Sequence, residues 1–163
     1  MRPSIRVLAI DPGFGRAGIA VLERKSGVDQ LLHSECVVTD AGEPFQKRLG
    51  EVCEAVQELV TSSKPDLMAL ERLYFTNNQK TAMQVAEVRG ALLALAAKEN
   101  LPVVEYTPLE VKIAVTGFGR SGKREVAHMV PILISLPSKK GRLDDEYDAI
   151  AIGLTALASY RPA

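Results

Sequence analysis

At 163 residues, 47% of them hydrophobic and 25% charged, the chain is long enough for one domain with a buried core and too apolar for wholesale disorder. No apolar run is long enough to span a bilayer, and the N-terminus lacks a secretory core followed by a cleavage site, so a cytoplasmic protein with no membrane segment is expected. Net charge is zero, but residues 108–142 carry seven basic side chains (Lys112, Arg120, Lys123, Arg124, Lys139, Lys140, Arg142) against Glu110 and Glu125, which leaves 13 basic and 18 acidic residues elsewhere.

In chain order, residues 5–10 read as a buried strand ending at Asp11-Pro12-Gly13. Residues 17–22 read as a second strand and 31–38 as a third, after the polar turn Lys25-Ser26-Gly27. Such short connections predict an antiparallel meander. Phe45, Leu49, Val52, Cys53, Val56, Leu59 and Val60 recur at helical spacing, with Pro44 suited to the first turn. Residues 67–70 form a short apolar strand that delivers Glu71 at its end.

The stretch 79–98 is helical but apolar on more than one side. Val85, Val88, Leu92 and Leu95 mark one face, and Ala82, Ala86, Gly90, Ala94 and Ala97 crowd others. This predicts a helix packed on the sheet on one side and on another helix on the other. Residues 102–105 read as a fifth strand, and Ser121 as the cap of a helix that reaches Leu136, kinked or shortened by Pro131. Residues 145–159 form the last helix. The order βββαβαβαα describes an α/β protein with a five-stranded mixed sheet, antiparallel meander plus parallel strands, flanked by helices in a single domain over 1–163. Cys36 and Cys53 lack metal-ligand spacing and are expected to be reduced core thiols.

The carboxylates carry the chemistry. Asp11 follows an apolar strand on a tight turn, a place that a simple turn aspartate also fills. Glu71 ends a buried strand, where a charge gains nothing from the core unless it faces solvent or a positive partner. In Asp144-Asp145-Glu146-Tyr147-Asp148 the helix dipole accounts for one or two acidic residues and poorly for four. Asp145 and Asp148 are three apart and share a helix face. Neighbouring carboxylates repel unless protonated or bridged by a cation. The topology brings Asp11, Glu71, Asp145 and Asp148 to one edge, an all-oxygen set suited to two-metal phosphodiester hydrolysis. The basic stretch reads either as a solvated face or as the patch that such a nuclease presents to nucleic acid.

With these residues in order, the chain resembles the RuvC family of crossover junction endodeoxyribonucleases, the Holliday junction resolvases, over nearly its whole length. The matching pieces are Asp11-Pro12-Gly13, Glu71-Arg72-Leu73-Tyr74-Phe75, Tyr106-Thr107-Pro108-Leu109-Glu110-Val111-Lys112, Gly117-Phe118-Gly119-Arg120-Ser121-Gly122-Lys123, His128-Met129-Val130 and Asp145-Glu146-Tyr147-Asp148-Ala149. The resemblance implies an RNase H-like fold, a homodimer, and paired symmetric cuts in four-way junction DNA during recombination and repair. It assigns the metal-binding and catalytic carboxylates to Asp11, Glu71, Asp145 and Asp148, with two Mg2+ ions per subunit for which Mn2+ can substitute. DNA-binding roles fall on Tyr74, Phe75, Asn78, Lys80, Lys112, Arg120 and Lys123. Of these, Tyr74 stacks on a junction base, and Lys112 and Lys123 lie near the scissile phosphates. Arg89, Gly90 and Ala94 lie on the dimer-forming helix, and a branch-migration motor of the RuvA–RuvB type is an implied partner.

The chain departs from the family pattern at three places. Asn77 stands where a basic residue is common, so that phosphate contact is lost or moves to Lys80, while Pro131 and Ser121-Gly122 replace a commonly basic residue and a small-acidic pair. Three other readings stay open at this point. A YqgF-like nuclease is disfavoured by the Glu71–Phe75 segment and the Gly-Phe-Gly-Arg loop. An actin-like or sugar-kinase ATPase needs two such domains, and a junction binder without catalysis has no use for four carboxylates.

Overall fold

In a computed structural model that describes residues 4–72 and 77–161, five strands form one sheet. They are β1 (Ile5–Asp11), β2 (Arg16–Lys25), β3 (Val28–Val38), β4 (Leu67–Glu71) and β5 (Val103–Tyr106), in the order β3-β2-β1-β4-β5. β1, β2 and β3 pair antiparallel as the expected meander, and β4 and β5 add in parallel on the other side of β1. Ser26 and Gly27 close the β2–β3 hairpin with φ of 53° and 83°, the left-handed pair that suits the twist of two-residue hairpins. The hairpin runs past its apolar core because polar pairs extend it: Arg24 stands opposite Asp29 and binds it at 2.6 Å.

Both faces of the central strand are covered, so β1 is apolar nearly throughout. Leu8 and Ile10 pack with helices α1 (Phe45–Ser63) and α2 (Gln79–Lys98). Val7 and Ala9 pack with α3 (Pro108–Thr116), α4 (Lys123–Leu133) and α5 (Asp144–Ser159). α5 lies sandwiched between the sheet and its helical neighbours, with every residue from Ala149 to Leu157 buried. Two glycines seat it on β2. A Cβ at Gly153 would come within 2.3 Å of Leu22, and one at Gly18 within 1.8 Å of the Asp145 carbonyl oxygen. The eight residues between Asp145 and Gly153 rise roughly 12 Å, about the length of the four strand residues from Gly18 to Leu22, so helix and strand stay in register.

Five expectations need correction. α3 is an additional helix that apolar periodicity hides, because Leu109, Val111, Ile113 and Val115 alternate as in a strand. Its signal is a capping box: Thr107 Oγ1 accepts from Glu110 N–H at 3.1 Å, Glu110 Oε2 accepts from Thr107 N–H at 2.6 Å, and Pro108 opens the helix. Ser121 does not cap α4; the cap is Gly122, and Ser121 is buried with its hydroxyl 2.7 Å from that of Thr116. α4 also ends at Leu133, two residues after Pro131, which cannot donate a hydrogen bond to the preceding turn. Finally, α2 buries Val88, Leu92 and Ala96 against the sheet and α1, while Met83, Ala86, Gly90, Leu93, Ala94 and Ala97 are exposed. No helix of the described residues covers that second face. Cys36 and Cys53 are half-buried free thiols, short of the core positions expected. Among the described residues, no helix is long and apolar enough to cross a membrane.

Candidate metal centre and active site

The parallel pairing of β1 with β4 sets Ile10 beside Leu70, so the next residues, Asp11 and Glu71, leave the same sheet edge on adjacent strands. On the other side of β1, Asp11 pairs with Gly18 of β2, and the missing side chain of Gly18 lets the first turn of α5 settle there. Asp145 and Asp148, one turn apart on α5, are thereby brought to Asp11. One carboxylate oxygen from each of Asp11, Asp145 and Asp148 lies within 4.8 Å of the others. Glu71 stands beside this triad in a cavity of about 330 Å³, lined also by Asp11, Asp148, Lys112, Lys123, Pro108, Val111 and Val126.

Crowding of like charge in a poorly hydrated place disfavours ionisation. Burial, with Glu71, Asp148 and Asp145 adding repulsion, holds Asp11 well above the ordinary carboxylate range, and only Lys123 opposes. Glu71 is raised by burial and then by Asp148, against the pull of Lys123 and Lys112. Asp148 is raised by burial although Lys123 sits 3.4 Å away, and that contact in turn raises the Lys123 ammonium.

Asp145 adds a local test of whether these residues fit a cation. Its Oδ2 is buried without a hydrogen bond, because Arg16 Nε, at 3.1 Å, reaches ion-pair distance without hydrogen-bond alignment. A buried carboxylate oxygen without a hydrogen bond, beside two further carboxylates, fits a hard divalent ion, and the all-oxygen donor set suits magnesium or manganese over zinc or copper. The nearby Cys36 thiol is pushed up to about 11 by burial and by Asp145, which favours its protonated form near neutrality.

A consequence follows for stability. Groups whose folded pKa is raised stabilise the fold below the ordinary carboxylate values, 3.8 for Asp and 4.5 for Glu. That contribution is lost as pH rises through the shifted values. A cation that binds only the ionised cluster offsets the loss. The rise in melting temperature caused by millimolar magnesium is therefore expected to grow between pH 5 and pH 8. A magnesium effect that is absent, or that is larger at pH 5, would count against the cluster as a metal site.

The model of the family "Crossover junction endodeoxyribonuclease RuvC" matches residues 7–156. The chain belongs to this RuvC family. It is 43% identical over 156 residues to the crossover junction endodeoxyribonuclease RuvC of Moorella thermoacetica, covering 96% of this chain and 92% of that one. It is 41% identical to that of Petrotoga mobilis, covering 89% and 88%. Among solved structures, Thermus thermophilus RuvC in complex with Holliday junction substrate superposes with a TM-score of 0.86 at 34% identity, over 94% of this chain and 93% of that one. The yeast mitochondrial Holliday junction resolvase, at 16% identity and a TM-score of 0.69, shares the fold, over 94% of this chain and 78% of its own. The sheet and helices described above are thus the RNase H-like arrangement of RuvC and related resolvases.

In this RuvC-family chain Asp11, Glu71 and Asp148 line one cavity with Lys112 and Lys123, and Asp145 joins Asp11 and Asp148 in the carboxylate triad. Arg120 is exposed on the loop between α3 and α4, and Lys80 is exposed on the first turn of α2. Asn78 caps α2, its side chain accepting from Thr81 N–H at 3.2 Å. Tyr74 and Phe75 lie outside the described residues. On α2, Gly90 and Ala94 face outward, whereas Arg89 turns inward to bind Glu105 of β5, which also meets Arg72 at 3.8 Å. Lys139 of the basic stretch is committed as well: it binds the buried Glu146 at 2.6 Å and the Ser34 carbonyl at 3.0 Å, pinning the loop before α5. Sequence reasoning passed over Gly18, Arg16 and the structural part played by Glu146. An Asp-Pro-Gly followed by a glycine five residues after Gly13 was the only trace of the first.

Proposed function

We propose that the protein is a cytoplasmic, structure-selective endonuclease that resolves four-way DNA junctions by paired, symmetric phosphodiester hydrolysis in recombination and repair. The convergence of Asp11, Asp145 and Asp148, with Glu71 beside them, carries the reading. Membership of the RuvC family and the likeness to a structure with a bound Holliday junction support the choice of substrate. The chain would act as a single domain.

Asp11, Glu71, Asp145 and Asp148 would hold the metal, an all-oxygen set suited to two Mg2+ ions, with Mn2+ as a substitute. When bound, such ions activate water and neutralise charge on the attacking and leaving oxygens. Lys112 and Lys123 lie on the cavity wall, where their ammonium groups would draw in the scissile phosphate and hold it against the carboxylates. Val111, Val126 and Pro108 form an apolar wall that limits bulk water behind it. Lys80, Asn78 and Arg120 would hold flanking backbone, and Tyr74 and Phe75 would stack on opened bases. A motor partner of the RuvA–RuvB type rests on the family alone.

Paired cutting needs two sites in fixed relation, which a twofold dimer supplies. The outward face of α2 suits this: its small residues Ala86, Gly90 and Ala94 permit close approach, and Met83 and Leu93 add apolar area. Ala94→Glu would leave a charge unpaired in that contact and is expected to give monomers by light scattering at micromolar concentration. A parent chain that is itself monomeric under those conditions would contradict the dimer. The function is tested by labelling each strand of a junction in turn and mapping the products. Cuts at matching positions on two opposite strands are expected; cuts on one strand only, or scattered along the arms, would refute paired resolution.

A further inference from the structure

Beside the metal-site cavity lies a feature that the carboxylates do not explain. Phe118 is 61% exposed, Leu109 and Ile113, one turn apart on α3, are 54% and 50% exposed, and Gly119, the residue after Phe118, lies against both of them. Large apolar side chains clustered in solvent mark a contact surface. The loop that carries Phe118 is firmly built. Gly117 takes the left-handed conformation at the end of α3, with φ of 77°, and its N–H closes on the Ile113 carbonyl at 2.9 Å. The Phe118 N–H donates to Thr116 Oγ1 at 3.1 Å, and its carbonyl accepts from Ser121 N–H at 3.2 Å. The hydroxyls of Thr116 and the buried Ser121 meet at 2.7 Å beneath it. A backbone held on such a frame presents the Phe118 side chain to solvent before any partner arrives, which lowers the ordering cost of binding.

The surroundings identify the partner. An open groove of about 330 Å³ runs along Pro108, Leu109, Lys112 and Gly119, and Pro108 and Lys112 also line the metal-site cavity, so the two spaces adjoin at these residues. Gly119 lies flush on the pad: a Cβ there would come within 2.6 Å of Leu109. Exposed Arg120, Lys123 and Arg124 follow directly in the chain, whereas the Glu110 carboxylate is turned back onto Thr107 N–H. A partner that is anionic at regular intervals, apolar between its charges, and continuous with a phosphate held at the carboxylates is a nucleic-acid strand.

We propose that Phe118, with Leu109 and Ile113, forms a pad for the sugar and base of a nucleotide adjoining the scissile phosphate, while Lys112 and Arg120 hold the phosphates on either side. This rests on the nuclease reading above and adds to it a binding surface outside the cavity. Phe118→Ala is expected to raise the dissociation constant for a four-way junction, measured in EDTA so that nothing is cut, by roughly five- to a hundredfold. Phe118→Tyr, which keeps the ring, should return it to within about threefold of the parent. Because the side chain is exposed, the Ala variant should melt as the parent does. A fluorescent base analogue at the nucleotides flanking the cut should be quenched by the parent and Tyr chains and not by the Ala chain. An Ala variant that binds and quenches as the parent does would overturn the pad. So would an Ala variant that changes oligomeric state, since the pad would then be a subunit contact. A parent chain that neither binds nor cuts junctions would instead refute the nuclease reading itself.

Discussion

Asp11→Asn is expected to lower junction cutting by more than about a hundredfold while leaving junction binding intact. Asp11 is the carboxylate against which Glu71, Asp148 and Asp145 all press, so it stands at the centre of the cluster. Removing its charge would withdraw one of the proposed metal ligands without touching Lys112, Lys123 or Arg120. The same change relieves repulsion in the metal-free chain, so the variant should melt higher than the parent in EDTA near neutral pH and gain less from magnesium. Opposite shifts in stability and activity are the mark of a site whose charges are placed for chemistry. Cutting at the parental rate by the Asn variant would remove Asp11 from the reaction. A lower melting temperature in EDTA would show that Asp11 serves the fold.

The second large effect is expected at a residue with no side chain. Gly18→Ala places a methyl group 1.8 Å from the Asp145 carbonyl oxygen and 2.4 Å from its carbonyl carbon. These are backbone atoms at the start of α5, so no rotamer change relieves the clash, and the helix end or the strand must move. Overpacking of this kind costs about 1–3 kcal/mol. The larger consequence is positional, because the shift separates Asp145 and Asp148 from Asp11. A misplacement of about 1 Å can cost on the order of a hundredfold in rate. Cutting should therefore fall by about that factor, and magnesium should stabilise the variant less than the parent. Gly50→Ala is the control: a Cβ at Gly50, on α1, meets nothing within 4 Å. That chain should cut normally and gain a few tenths of a kcal/mol from helix propensity, up to about 1. If Gly18→Ala cuts as the parent does, the close seating of α5 does not set the metal ligands.

Much of this was legible in the residues themselves. β1, β4 and α2 follow from apolar patterning, and α2 runs over the very stretch, 79–98, that the periodicity outlines. Asp11 and Glu71 could be placed together because both end buried strands, and strand ends define a sheet edge. Other features were hidden for identifiable reasons. The alternating apolar residues of α3 imitate a strand, and only the caps at Thr107 and Glu110 reveal the helix. Glu146 looks like one more acid for the helix dipole, yet it is 2% exposed and bound to Lys139, a pairing across a loop that no local pattern records. Arg89 reads as a surface residue of a subunit contact, but a partner on β5 draws it inward. Gly18 acts through the absence of an atom, and its importance emerges only when β2 and α5 are seen in contact.

The most direct test of the account uses one purified protein and two DNAs. A labelled four-way junction and a linear duplex of the same arm sequence are incubated with the chain, with magnesium and with EDTA. Nicked duplex products are expected from the junction in magnesium, none from the junction in EDTA, and an intact linear duplex in both. Equal cutting of junction and duplex, or junction cutting that survives EDTA, would contradict the account.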